Sequence, residues 1–283
     1  MVFPSAMWIL LAVSLIMCCM GFYRFVWFMS VGYGLSAAGI GAALLIMALV
    51  KGNISVIFAL ECVIMVIYGI RLGGFIFFRE LKNASYREKL RQVGGETKVP
   101  VFVACVMWIV LGALYIMQSA GPVYRLLNGE TANPGVLCWT GTVVAAVGCA
   151  LEGIADRQKS EQKKTAPDMP ATKGLYSLCR CPNYFGEMLF WLGIFASGIS
   201  TYQGWQWVIA ILGLVAIEYI MVSGAKRVET RHIKNYGAKP EYNKYADSVP
   251  LLIPFVPIYH MTSPEIIAAE EAKKAAKKAA KGK

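Results

Sequence analysis

The stretch ISVIFALECVIMVIYGIRLGGFIFF, residues 54–78, decides the fold, because Glu61 and Arg71 are its only charged residues. About 20 consecutive, mostly apolar residues cross the hydrocarbon core of a bilayer as an α-helix. The stretch exceeds that length and lacks the short alternating strands of an outer-membrane barrel. It therefore predicts a transmembrane helix.

Apolar runs of this kind recur along the chain. Hydrophobic residues make up 57% of the 283 residues and charged residues only 16%, whereas soluble domains average about 45–50% and about 25%. A soluble enzyme is therefore excluded, and we predict an all-α, polytopic membrane bundle of about seven transmembrane helices. The predicted spans are 6–28, 30–50, 54–78, 100–119, 136–155, 185–200 and 204–223.

The basic residues predict the orientation of these spans. Of the 28 Lys and Arg, 24 lie in the segments 79–99, 156–182 and 224–283. With seven spans these segments share one side, which the positive-inside rule assigns to the cytoplasm or matrix, with the N-terminus outside or lumenal. Topology and anionic lipids then account for the net charge of +11, so we expect membrane lipids and no nucleic acid as partners.

The same pattern predicts a location and a domain organisation. We expect an integral membrane protein of the endoplasmic reticulum, the bacterial inner membrane or the mitochondrial inner membrane. A seven-helix domain is predicted over residues 1–257 and a Lys/Ala-rich tail over residues 258–283.

Cysteine and histidine usage predicts no metal site. Six of the eight cysteines lie in apolar runs, where a thiol behaves as a small hydrophobe. Cys179 and Cys181 form a CxC pair, but no second pair follows at zinc spacing. His232 and His260 are the only histidines.

Three residues of the span at 54–78 are candidates for catalysis, since ionisable groups inside a membrane are costly to retain. Glu61, Tyr68 and Arg71 recur at intervals of seven and three, which puts them near one helical face. A phenol assisted by a carboxyl group can donate a proton or hydrogen bond to a buried carbonyl oxygen. Alternatively, Glu61 and Arg71 pair with other helices and Tyr68 is an interfacial aromatic residue.

A polar stretch, residues 173–187, leads directly into the predicted span at 185–200 and predicts an anion site. Pro182 favours an extended residue before it, Asn183 can cap a helix, and the free N–H groups of a helix start would lie beside Arg180. Basic and tyrosine residues after the last span suit a phosphate-bearing ligand. Such a run is also typical of a positive-inside anchor.

Residues 174–187, together with 152–159 and 245–255, resemble the membrane-embedded steroid 5α-reductase family, and most closely its bacterial-type branch. The resemblance implies a seven-helix membrane fold that binds NADPH from the cytoplasmic side. It implies hydride delivery to a carbon–carbon double bond conjugated to a carbonyl group in a lipid substrate.

Carried onto this sequence, the resemblance implies site residues at defined positions. Tyr68 would donate to the substrate carbonyl, with Glu61 as a candidate acidic partner. The implied cofactor-binding residues are Asp156, Lys163, Arg180, Asn183, Tyr184, Gly186, Glu187, Arg227, Arg231 and Tyr236. Two departures stand out: Cys181 occupies a position where this branch usually has histidine, and spans one and two lack the acidic partner of the steroid-reducing enzymes.

Two other functions fit parts of the pattern. Isoprenylcysteine carboxyl methyltransferases, which use S-adenosylmethionine, have a related Arg-x-Pro-x-Tyr signature. A catalytically degenerate member of the reductase family, retained as a subunit of a membrane complex, would explain Cys181. In that case partner subunits would contact the C-terminal tail.

Overall fold

The computed structural model describes residues 5–52, 54–82, 99–132, 134–269 and 272–273. These residues are mainly α-helical and include no β-strand, which confirms the predicted all-α class. Their main helices are α1 (Ser5–Cys18), α2 (Val31–Val50), α3 (Val56–Lys82), α4 (Val101–Gln118), α5 (Ala120–Leu127), α6 (Val136–Thr165), α7 (Pro182–Ser197), α8 (Trp205–Tyr236) and α9 (Pro240–Ser248).

Six helices in the described part of the chain are long and apolar enough to cross a membrane. They are α1 with its extension to Phe22, α2, α3, α4, α6 and α8. The chain is therefore a polytopic integral membrane protein. The remaining predicted span, 185–200, overlaps α7, which has 16 residues, so the count of seven crossings and their orientation stay predictions.

Prolines mark three of the helix starts. Pro100 is the N-cap of α4, while α7 and α9 begin at Pro182 and Pro240. Proline is favoured at the first turn because its missing N–H has no intrahelical partner there and its φ is already helical. The predicted basic segment at 79–99 lies mostly outside the described residues, as do residues 270–271 and 274–283 of the predicted tail.

The chain divides into two compact units. The first comprises Met1–Cys149 and Leu189–Ile217, and the second comprises Ala150–Met188 and Glu218–Lys283. The predicted division between residues 257 and 258 stays a prediction.

In the first unit, α2 and α3 approach each other closely at glycines. A Cβ atom added to Gly34 would lie 2.6 Å from the backbone nitrogen of Gly73, and one added to Gly69 would lie 2.6 Å from that of Ala38. Small residues at such spacing allow membrane helices to pack backbone against backbone.

The second unit is held together by hydrogen bonds between its loops and its helices. Gln158 Oε1 accepts from the backbone N–H of Leu175 at 2.9 Å, beside Gly174, whose φ of 68° favours glycine. The backbone N–H of Arg180 donates to the carbonyl of Pro250 at 2.8 Å. These bonds fix the segment that leads into α7 against α6 and the chain after α9.

Candidate functional site

The second unit contains a small pocket with a cavity volume of about 20 Å³, which is room for about one water molecule. The lining residues come from the end of α6, the segment 170–181, the start of α7, the end of α8, and α9. They are Lys159, Lys163, Pro170, Ala171, Tyr176, Arg180, Cys181, Asn183, Tyr184, Val228, His232 and Tyr245.

Arg180 is the most buried cation of this lining, with 3% of its surface exposed. Its Nη2 donates to Glu229 Oε1 at 2.9 Å and to the carbonyl of Tyr259. Its Nε and Nη1 atoms are buried and make no hydrogen bond of normal geometry in the described structure, although Arg180 is close enough to the Tyr242 hydroxyl to oppose the rise in the pKa of Tyr242 that burial causes. Buried donors are normally satisfied, so these two nitrogens are suited to an acceptor that is brought by a ligand.

Glu229 connects this arginine to the chain that follows α9. Its side chain is fully buried, and its Oε2 accepts from the backbone N–H of Met261 at 2.9 Å. His260 Nδ1 lies 3.1 Å from Glu229 Oε1, and His260 Nε2 lies 2.9 Å from Asp247 Oδ1. Residues 259–261 are thus bonded to both members of the buried ion pair.

Lysines on α6 add positive charge to the pocket. Lys159 and Lys163 are four residues apart, and so lie on one face of the helix. Lys163 Nζ donates to the carbonyl of Pro167 at 3.0 Å and to the hydroxyl of Tyr236 at 2.8 Å. Together with Arg180, the two lysines give the pocket the donors that phosphate groups require.

The protonation states of the pocket side chains follow from burial. Burial raises the pKa of the Cys181 thiol from 9.0 to about 12, although the cations of Lys159 and Arg180 oppose the shift. Burial also raises the pKa of Tyr176 and of Tyr245. Cys181 is therefore a neutral thiol at physiological pH, and the two phenols stay protonated.

The structure brings together part of the predicted cofactor site. Lys163, Arg180, Asn183 and Tyr184 line the pocket, and Tyr236 is joined to Lys163 by the hydrogen bond described above. The predicted residues that do not line it are Asp156, Gly186, Glu187, Arg227 and Arg231. Both arginines in that set are exposed.

Several lining residues were missed from the sequence. Lys159 could have been predicted from the sequence, since it lies one helical turn before Lys163. Tyr176 and Tyr245 are brought together by folding, where the Tyr245 hydroxyl donates to the carbonyl of Tyr176 at 2.7 Å. His232 lies within the run of basic and tyrosine residues that follows the last predicted span, and nothing in the sequence singles it out.

The predicted catalytic tyrosine lies in the first unit, inside an aromatic cluster. Tyr68 is fully buried, and its ring stacks on Phe190 with centroids 3.8 Å apart. Its phenol oxygen lies 3.0 Å from that of Tyr33, which also accepts from the indole N–H of Trp191. The guanidinium carbon of Arg71 lies 5.8 Å from the Tyr68 ring centroid.

Glu61 has different neighbours in the first unit. Its Oε1 accepts from the Ser197 hydroxyl on α7, and its buried Oε2 has no hydrogen-bond partner in the described structure. Arg125 donates to the backbone carbonyl of the same Ser197. This geometry matches the alternative in which Glu61 interacts with other helices, and its role as the acidic partner of Tyr68 stays a prediction.

Comparison with known proteins identifies one family. Residues 24–249 match the family described as "Protein of unknown function (DUF1295)". The match covers both predicted sites and most of the helical chain. Neither the comparison with curated proteins nor the comparison with solved structures finds a match.

Proposed function

This chain belongs to the DUF1295 family, and we propose that it is an NADPH-dependent membrane oxidoreductase. The proposed reaction reduces a carbon–carbon double bond conjugated to a carbonyl group in a lipid. The resemblance of residues 174–187 to the steroid 5α-reductases, in a polytopic helical membrane protein, supports this reaction class.

The observation that carries the proposal is the pair of unsatisfied nitrogens on buried Arg180. A guanidinium has five N–H donors and no acceptor. The oxygen atoms of a phosphate group are strong acceptors for such donors. Lys159 and Lys163 line the same pocket and add two more positive charges to it. A ligand with several phosphate groups fits this donor set better than S-adenosylmethionine, which carries none.

The residues present fit NADPH in their chemistry, while the cavity of about 20 Å³ would have to open to admit it. Arg180, Lys159 and Lys163 would hold phosphate oxygens, the Asn183 amide would bind a polar group of the cofactor, and Tyr184 offers an aromatic face. NADPH, when bound, supplies a hydride. The neutral Cys181 thiol adds no competing charge to the site.

Tyr68 is proposed as the group that binds the substrate carbonyl. Its phenol is buried away from water, where a hydrogen bond to developing enolate charge is strengthened. Tyr33 and Trp191 would hold the phenol in place through the hydrogen bonds described above.

Orientation and location form part of the same proposal. The basic segments, and with them the Arg180 pocket, would face the cytoplasm or matrix, where NADPH is present. The protein would reside in the endoplasmic reticulum, the bacterial inner membrane or the mitochondrial inner membrane. A role as a subunit of a membrane complex is the competing outcome.

Ligand-dependent thermal unfolding tests the proposal. The purified full-length protein in detergent would be melted with NADPH, with NADH and with S-adenosylmethionine. We expect NADPH at 100 times its dissociation constant to stabilise the protein by about 2.7 kcal/mol, with a smaller effect of NADH. Stabilisation by S-adenosylmethionine alone would favour a methyltransferase, and no stabilisation by any of them would favour the subunit role.

A further inference from the structure

Glu229 is the fully buried centre of a hydrogen-bond network that extends from the buried Arg180 to the exposed side chains of His260 and Asp247. It lies on α8 and interacts with Arg180, His260 and the backbone of Met261. A buried ion pair can often be replaced by apolar residues with little change in stability. Stability alone therefore does not explain why a fully buried carboxylate lies beside Arg180.

The geometry of the pair leaves Arg180 with a defined orientation. Glu229 and the carbonyl of Tyr259 both accept from one nitrogen, Nη2. The planar guanidinium is thereby anchored at one end, while Nε and Nη1 make no hydrogen bond of normal geometry. An arginine without that anchor would sample several rotamers, and ordering it on binding would reduce affinity.

Residues 259–261 complete this anchor from the other side. The Tyr259 carbonyl contacts Arg180, the Met261 N–H contacts Glu229, and the His260 ring bridges Glu229 to Asp247. The chain after α9 thus fixes both partners of the ion pair.

We infer that Glu229 is a positioning residue for the anion site, and that it acts by holding Arg180 so that two of its nitrogens, Nε and Nη1, are available to the ligand. Residues 259–261 serve as a strap that maintains this arrangement. The inference rests on the proposed function in naming NADPH as the ligand. The positioning itself applies to any phosphate-bearing ligand of the pocket.

A double-mutant cycle in ligand affinity tests the inference. Isothermal titration calorimetry on the full-length protein in detergent would measure NADPH and, separately, inorganic pyrophosphate. The variants are Glu229→Gln, Arg180→Gln and their combination, with Glu241→Gln as the control. Glu241 is exposed in the first turn of α9, so the control removes the same charge away from the pocket.

We expect Glu229→Gln to weaken binding about tenfold in the wild-type background, and less than about twofold when Arg180 is already glutamine. An equal loss in both backgrounds would overturn the inference, because Glu229 would then act independently of Arg180. No loss in the wild-type background would also overturn it. The control should bind as the wild type does.

A second variant covers the case in which Glu229→Gln fails to fold. Glu229→Asp keeps the charge but withdraws the carboxylate by one methylene, so it should fold and still bind the ligand several-fold more weakly. Unchanged binding in this variant would contradict positioning.

The two ligands separate the inference from the proposed function. If pyrophosphate binds with the expected cycle while NADPH does not bind, the proposed function fails and the positioning role stands. If both ligands bind but the effects of the Glu229 and Arg180 substitutions on affinity are additive, the positioning role fails and the proposed function stands. If neither ligand binds the wild type, the anion site itself is refuted and both fall.

Discussion

Substituting Arg180 by methionine should destabilise the second unit, because the change leaves a buried carboxylate without its cation. Breaking a buried ion pair by removing one partner typically destabilises a protein by about 3–5 kcal/mol. Glu229 would keep the His260 contact and the backbone N–H of Met261. We therefore expect a loss near the lower end of that range, about 3 kcal/mol.

Thermal unfolding in detergent measures this effect. For a chain of this size a loss of 1 kcal/mol lowers Tm by about 2–4 °C, so the Tm of Arg180→Met should fall by about 6–12 °C. The control is Arg227→Met, since Arg227 is exposed on the same unit; its Tm should change by less than about 2 °C.

The double variant Arg180→Met, Glu229→Leu provides a further check. It removes both charges and so leaves no unpaired charge. The Met261 N–H and the Tyr259 carbonyl lose their partners, so we expect the double variant to recover about half of the lost Tm. A decrease for Arg180→Met no greater than that of the Arg227 control would refute the reasoning, because the ion pair would then contribute no more than an exposed arginine.

Three further predictions concern separate sites. Tyr68→Phe should lower turnover by about 100-fold or more with little change in NADPH affinity, measured as NADPH oxidation in the presence of a lipid enone; an unaffected rate would exclude the catalytic role. Gly34→Val should destabilise the α2–α3 contact by about 3 kcal/mol or more, since a side chain meets the backbone of Gly73, and a wild-type Tm would contradict that packing. Cys181 should resist alkylation at pH 8, because a pKa of about 12 leaves about one thiol in 10,000 ionised; mass spectrometry should detect its modification only after denaturation, and rapid labelling of the native protein would be inconsistent with this environment.

The helices were predictable from the sequence because their apolar runs are long and their starts are marked. The span predicted at 100–119 is observed as Val101–Gln118, immediately after Pro100. The prediction of the first span, 6–28, was less accurate. Its α-helix ends at Cys18 and continues as short 3₁₀ turns, which an apolar pattern alone does not distinguish from α-helix.

The candidate site was predictable only where its residues are close in sequence. Arg180, Asn183 and Tyr184 stand within one turn of the start of α7, and their motif identified them. Glu229 and His260 are separated from Arg180 by 49 and 80 positions, and only the tertiary fold brings the three together.

The first unit shows the same limit at Tyr68. Its partner Tyr33 lies 35 positions away on α2, and the resemblance directed attention to an acidic partner instead. A hydroxyl in that position could not be read from the sequence, because it depends on the close approach of α2 and α3 at their glycines.

Hydrogen–deuterium exchange with mass spectrometry, performed on the full-length protein with and without NADPH, tests the central claim most directly. If the pocket in the second unit binds the cofactor, NADPH should slow exchange in peptides covering residues 159–184 and 228–261, and Arg180→Met should reduce this protection. Unchanged exchange in those peptides at saturating NADPH would contradict the claim that this pocket is the cofactor site.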